Sequence, residues 1–456
     1  MVIESRQTYG RRIIYSREEK ITTDNIVSVL YKALPIHNIN ADEIQYLWDY
    51  YKGKTPIRNR VKEVRSEIKN CISENRANEI VSFKTGYLIG EPIQYVRRGN
   101  DKAADDLNRL NEIMLHEDKA TKDKELVEWG HICGTAYRMV LPKKEIDFSP
   151  VEIFTLDPRF NFIVYQSGLG HKPLMSVMIG KKDRKTMYMV YTPSFYYEIQ
   201  ARKITKKEPN PLNCIPVFEY PANNARLGAF ETVLSLLDAL DNVESNRVDG
   251  IEQFIQAILV FENCEISSEK LKELKKELAI SVKGTPGLPA KVFYANGELN
   301  QTQTQTLVDN LYQAVLTICG MPNRNGGSST SDTGAAVQLR DGWSAAESRA
   351  KDSEVMFKKP EKSFLTLTLY ICEIVQGMNL EIQNIDIRFT RRNYENIQEK
   401  AQVLTTMLGS NKIHPELAFT HCGMFSDPGL AYSNSMDYMK QQEVKIGGEE
   451  TEPDIA

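Results

Sequence analysis

One stretch, "AFETVLSLLDALDNVESNRVDGIEQFIQAILVF" at residues 229–261, constrains the fold more than any other part of the chain. Leu234, Leu237, Leu240, Val243, Val248, Ile251, Ile255 and Ile258 fall at helical spacing and predict one long amphipathic helix. At about 1.5 Å per residue it would reach roughly 50 Å, with Gly250 its weakest interior point. Such a helix needs neighbours along its whole length. The same stretch carries Glu231, Asp238, Asp241, Glu244, Asp249 and Glu252 against Arg247 alone, five net negative charges. Either this is a solvated acidic face, or it is a wall facing a polyanion that must not stick. In the second case Lys or Arg there would add affinity and friction at every phosphate.

The chain has 456 residues, enough for two to four cores or one elaborate assembly. Its 57 Lys and Arg face 61 Asp and Glu, so no global basic field clamps nucleic acid, and any such partner is held loosely or locally. Seven Cys at 71, 133, 214, 264, 319, 372 and 422 form no CxxC pair, which fits buried thiols in a reducing compartment. The start "MVIESRQTYGRR" lacks an apolar h-region, and the longest solid apolar run is "AILVF" at 257–261. That is far short of the roughly 18 residues that span a bilayer, so a soluble intracellular protein without a membrane partner is expected.

Residues 21–135 read as mainly helical, in stretches such as "TDNIVSVLYKAL" and "ADEIQYLWDYYKG", with Gly53, Gly90 and Gly134 as stop signals. From 136 to 220, short runs such as "TAYRMVL", "VEIFTLD", "FNFIVYQ" and "KTMYMVYT" predict one antiparallel, meandering sheet. After the long helix comes an insert with a charged helix "SSEKLKELKKELAI" and two short strands, then a second helix over 302–319 that stops at Gly320. Lys270, Lys272, Lys275 and Lys276 alternate with acids in the insert, as i,i+4 pairing or as a charged docking surface. A third helical pattern covers 334–377, where Pro360 is expected to kink or break it. A strand "EIQNIDIRF" and helices near 393–408 and 412–422 follow, and the acidic tail reads as disordered.

Catalytic motifs are wanting. "NGGSSTSDTGAA" has no Lys after its glycines and so is no P-loop, and "GLGHKP" lacks the third glycine of a dinucleotide fingerprint. His131 with Cys133 and His421 with Cys422 do not have zinc spacing, and neither HExxH nor GxSxG occurs.

Two segments carry a resemblance: "NRANEIVSFKTGYLIGEPIQYV" at 75–96 and "CIPVFEYPANNARLGAFETVLSLLDALDNVESNRVDGIEQFIQAILV" at 214–260. Both are similar to the portal proteins of tailed bacteriophages, in which a helix ends in an aromatic-x-x-Gly-x-Pro turn and a strand leads through an Asn-rich loop into a long helix. "IDIRFTRRNYENIQEKAQVLTTMLG" and "MFSDPGL" resemble the family's C-terminal region. The resemblance implies an α+β, mainly helical chain of wing, stem, clip and crown, with long stem and wing helices and a small β-rich part. It would assemble into a ring, usually dodecameric, that conducts double-stranded DNA without regard to sequence.

In order, the parts would be wing at 1–228, with its β-rich part at 136–220, stem helix 1 at 229–261 and clip at 262–301. Stem helix 2 at 302–320, a tunnel loop at 321–333, wing again at 334–389, crown at 390–430 and a disordered tail at 431–456 complete the series. By the same resemblance, Asn325, Gly326, Gly327, Ser328, Ser329, Thr330, Ser331, Asp332 and Thr333 would be DNA-proximal. Asp241, Glu244, Asp249 and Glu252 would line the stem, and the clip lysines would meet a separate terminase motor. Further implied partners are scaffold and major capsid protein and a head-tail adaptor, with assembly in the host cytoplasm and a final place at one capsid vertex of the virion. No cofactor, metal or catalysis is implied. The alternatives are a DNA-processing enzyme of phage packaging and a capsid-associated scaffold or adaptor without a channel.

Overall fold

The β-branched and aromatic runs between 135 and 221 form strands, but they divide between two sheets where one was expected. The computed structural model describes residues 4–63, 66–98, 104–145, 148–255, 258–263, 287–295, 301–323, 342–391, 397–410, 412–425 and 428–447. It separates into a smaller unit, Met1–Gln7, Lys52–Arg76 and Val233–Ile318, and a larger one, Thr8–Tyr51, Ala77–Thr232 and Cys319–Ala456.

In the larger unit, β1 (Ile14–Ser16) runs parallel to β5 (Asn161–Gln166). From there β6 (Pro173–Lys182), β7 (Lys185–Tyr191), β8 (Phe195–Gln200) and β9 (Lys203–Pro209) form an antiparallel meander. Helix α1 (Ile26–Tyr51) buries Ile26, Leu30 and Leu34 with Phe162, Val164, Met175 and Val190 of this sheet. Each such side chain removed from water contributes about 1.5–3 kcal/mol, and this outweighs the hydrogen bond lost at Pro35 inside the helix. Two stretches that read as separate are thus one helix.

The second sheet orders β10 (Val217–Pro221), β3 (Thr135–Pro142) and β4 (Val151–Leu156), all antiparallel. β3 is buried at its first six positions and packs against α4. Helices α2 (Arg76–Ile89), α3 (Ala104–His116) and α4 (Lys119–Cys133) precede it, and β2 (Gln94–Arg97) pairs with β13 (Ile385–Arg388). Gly134 ends α4 at φ +80°, where a Cβ would lie 2.0 Å from the Arg226 carbonyl oxygen. Only glycine fits this crossing.

The smaller unit holds α5 (Leu234–Ile255), and a single 3-10 turn, Glu231–Val233, precedes it in the chain. The helix is shorter than expected, 22 residues or about 33 Å. Ile258–Glu262 leaves the helix as β11 and pairs antiparallel with β12 (Lys291–Ala295). The apolar run "ILVFE" is compatible with either state, and the pairing decides for strand. Helix α6 (Gln301–Cys319) ends as expected at Gly320, φ +65°.

The long wing-type pattern is α7 (Trp343–Gln376), followed by α8 (Ile397–Leu408) and α9 (Pro415–His421). A further helix, α10 (Pro428–Gly447), stands where the sequence suggested a disordered tail from 431.

Candidate functional site

The acidic face of α5 is partly claimed by its own chain. Asp238, Asp241, Ser245 and Asp249 lie three or four residues apart and form one stripe. Thr55 donates its hydroxyl to Asp241 at 2.8 Å, and the Glu74 amide donates to the same carboxylate at 3.3 Å. The Ile72 amide donates to Ser245 Oγ at 2.9 Å. Asp249 accepts from the Asn70 amide at 2.8 Å and the Asn70 side chain at 3.0 Å, with Lys62 at 3.0 Å and Arg60 at 3.1 Å. Thr55, Arg60, Lys62, Asn70, Ile72 and Glu74 are therefore clasped along the helix.

Asp241 and Asp249 are consequently buried, and they are not open to a polyanion as the charge count alone suggested. Burial raises the Asp241 pKa, which the Thr55 and Glu74 hydrogen bonds only partly oppose. Burial pushes Asp249 the same way, but hydrogen bonds from Asn70 and Lys62 outweigh it and hold the carboxyl below its ordinary range. Glu244, 3.7 Å from Arg247, and Glu252 are only half-buried and remain as the acidic surface of the four. Arg247 also joins α5 to α6, donating to Gln301 at 2.9 Å and Gln305 at 2.8 Å. Arg76 lies 4.1 Å over the Tyr312 ring.

The other candidate residues divide simply. Asn325 through Thr333 and the four clip lysines Lys270, Lys272, Lys275 and Lys276 lie outside the described residues. Pro360 sits inside α7, which runs unbroken through it.

Next to Pro360 is a group of charges that the sequence reading missed. Glu361 and Arg138 are fully buried. Arg138 approaches Glu361 at 3.1 Å and also pairs with Asp123, while Lys119 lies 2.7 Å from Asp123 and 2.9 Å from Glu361. Tyr220 donates to Glu361 at 2.6 Å, and Tyr95 donates to its other oxygen. Two cations and two anions thus balance inside an apolar surround, tying α4, β3 and β10 to α7. Burial would raise the Glu361 pKa, but Lys119 and Arg138 overcome it and hold the carboxyl ionised. The i,i+4 spacing of Lys119 and Asp123 was the only local signal.

Three other buried groups contribute to the pH dependence of stability. The His37 ring stacks on Phe162 at 4.3 Å, and burial pushes its pKa from 6.5 down to about 4. His131, 3.0 Å from the Thr85 hydroxyl, is pushed down to about 3 by burial and then by Lys84. The folded chain binds these protons less readily than the unfolded one, so their contribution is intact above pH 6.5 and is lost as pH falls toward 4 and 3.

Glu231 has the opposite sign. Burial pushes it from 4.5 up to about 7 despite Arg11 at 2.9 Å, so its contribution is full below pH 4.5 and declines as pH rises to 7. Shifts of this size correspond to roughly 3–5 kcal/mol each. Thermal melts are expected to peak near about pH 6.5. Glu231→Gln should flatten the decline on the alkaline side of that maximum, and His37→Phe should flatten the acid limb. Identical profiles in wild type and both variants would contradict the assignment.

Among the described residues no group of three or more His, Cys, Asp or Glu is placed to hold a metal, and no helix is long and apolar enough to cross a membrane. The mixed α+β build and the paired helices α5 and α6 sit within a chain whose class is that of phage portal proteins: a family model matches residues 32–448. That family is described as phage portal protein, SPP1 Gp6-like, and the chain belongs to it. No curated protein matches the chain. Among solved structures, it is similar to a chain from the neck of an empty GTA particle computed with C6 symmetry, at 8% identity and a TM-score of 0.45. That likeness covers 76% of this chain and 90% of the other.

Proposed function

We propose that this protein is the portal, or connector, of a tailed phage: a ring at one capsid vertex through which double-stranded DNA is packaged and later ejected. The observation that carries the reading is the family match over residues 32–448. In this reading α5 and α6 are the stem, 262–301 the clip that receives the terminase motor and later the adaptor, and 321–333 the tunnel loop. Residues 390–430 belong to the crown, with α10 extending the ordered chain beyond it. The protein holds and guides DNA and does not catalyse.

Two features of the smaller unit support it. Ile251 on α5 and Leu307 and Ile318 on α6 are each more than 40% exposed, apolar surface suited to a neighbouring copy in a heterologous, ring-closing contact. Glu244 and Glu252 keep an acidic surface on the same helix, which would repel rather than grip a passing phosphate backbone.

Negative-stain electron microscopy of the purified chain tests the reading. Annular particles with a central hole are expected, and a sample that stays monomeric at high concentration would overturn the ring. Deleting Ser328–Asp332 should leave rings intact while DNA packaging or retention fails. Loss of assembly after that deletion would make the loop architectural.

A further inference from the structure

The meander of the larger unit ends in two adjacent cationic turns. Between 181 and 208 stand eight Lys or Arg, at 181, 182, 184, 185, 202, 203, 206 and 207, against Asp183, Glu198 and Glu208, in a chain whose net charge is −4. All eight are exposed. The β6–β7 turn, Asp183–Arg184, and the β8–β9 turn, Ala201–Arg202, lie at the same end of the sheet, because Met187 of β7 pairs with Gln200 of β8. The Gln200 side chain links them by donating to the Lys182 carbonyl at 3.4 Å.

Protection of a free sheet edge accounts for lysines on β9, the last strand of the sheet. It does not account for Lys181, Lys182 and Lys185, which sit on the interior strands β6 and β7, or for Arg184 in the turn between them. Nor does local ion pairing: Lys182 lies 3.6 Å from Glu198 and Lys206 2.9 Å from Glu208, but Lys181, Arg184, Lys185 and Lys203 have no acidic partner among the described residues. The turns themselves give an independent sign. Asp183, Arg184, Ala201 and Arg202 all have positive φ, +53°, +62°, +47° and +62°. Two-residue turns of this hand favour Asn-Gly or Asp-Gly, and a residue with a Cβ there costs about 1 kcal/mol. Arg202 is in part accounted for by the fold, since its guanidinium lies 4.7 Å over the Tyr31 ring of α1. No such contact accounts for Arg184 among the described residues, where glycine would fold more easily.

We propose that these two turns form a binding surface for the phosphate backbone of nucleic acid, separate from any channel contact. Lack of an apolar anchor argues against an acidic protein as the occupant, since no large hydrophobic side chain between 181 and 209 is exposed and a protein interface needs a desolvated apolar centre. Backbone binding needs only clustered cations. The turn centres are two inter-strand spacings, about 10 Å, apart, close to the roughly 12 Å width of a DNA major groove. Arg184 and Arg202 can therefore reach phosphates on opposite walls of one groove.

The test is fluorescence anisotropy of the full chain with a labelled 25-base-pair duplex between 50 and 200 mM salt. Two variants are compared with wild type, Arg184→Gly/Arg202→Gly and Lys181→Glu/Lys185→Glu/Lys203→Glu. A charge-matched control, Lys124→Glu/Lys359→Glu/Lys362→Glu, changes exposed lysines elsewhere on this unit. The glycine variant relieves both turns and removes the contact of Arg202 with the Tyr31 ring, so melting temperature is followed beside affinity. A loss of affinity of about tenfold without a lower melting temperature separates lost phosphate contacts from lost fold. The triple reversal should also lower the slope of log K against log salt by about 2.7, for three phosphate contacts. The control should stay within twofold of wild type. Absence of duplex binding by wild type, equal losses in control and turn variants, or tighter binding of poly-glutamate than of duplex through the same residues would overturn the proposal.

Discussion

Glu361→Ala is expected to destabilise the larger unit by about 3–5 kcal/mol. The side chain is fully buried and answers two buried cations at once, Lys119 at 2.9 Å and Arg138 at 3.1 Å. Truncating it leaves Arg138 beside Asp123 alone, and it strands the Tyr95 and Tyr220 hydroxyls without their acceptor. A buried ion pair contributes little over a well-packed apolar substitute, yet removing one partner exposes the whole desolvation cost of the other. Replacing Lys119 by Met together with Glu361 by Leu should therefore cost less than the two single changes summed, with a coupling of about 1–3 kcal/mol. Trp48, Trp129 and Trp343, the three tryptophans of the chain, all belong to this unit, so denaturant unfolding followed by tryptophan fluorescence reads the change directly. A loss below 1 kcal/mol for Glu361→Ala would mean that water or rearrangement satisfies the cations.

Asp249→Ala is expected to loosen the segment clasped on α5, at a cost of about 2–3 kcal/mol. The carboxylate receives the Asn70 amide and side chain and faces Lys62 and Arg60. Both cations keep some access to solvent and can rehydrate, so the larger part of the loss is the Asn70 amide left unpaired against the helix. Because opening and cleavage are linked, trypsin should cut after Arg60 or Lys62 about 30–140 times faster than in wild type. Asp249→Asn keeps an acceptor and should lie between the two. Unchanged cleavage in both variants would show that the segment is held by its apolar contacts instead.

The two results bear on how the sequence can be read. Helical spacing in 234–255 and the β-branched runs of 135–221 are local properties, each dictated by the period that an element must present to a core. The end of α5 was not legible: "ILVFE" extends the helical pattern and becomes a strand only because "KVFYA", 29 residues later, pairs with it. β9 escaped notice for the opposite reason, since "KITKKEP" is too charged to look like a strand and is held by β8 alone.

The acidic helix marks the boundary most clearly. Counting its charges takes nothing but the sequence, whereas knowing that Asp249 meets Asn70, 179 positions away, takes the fold. The same holds for Arg138 and Glu361, 223 positions apart. Family membership, element order and the absence of a nucleotide loop in "NGGSSTSDTGAA" could be read from the chain itself, because they rest on residue types and spacings along it. Which carboxylates are free, which are neutralised and which turns gather their lysines was decided only by tertiary structure. Electrostatic partners are chosen by distance in space, and over such separations the sequence carries no record of that distance.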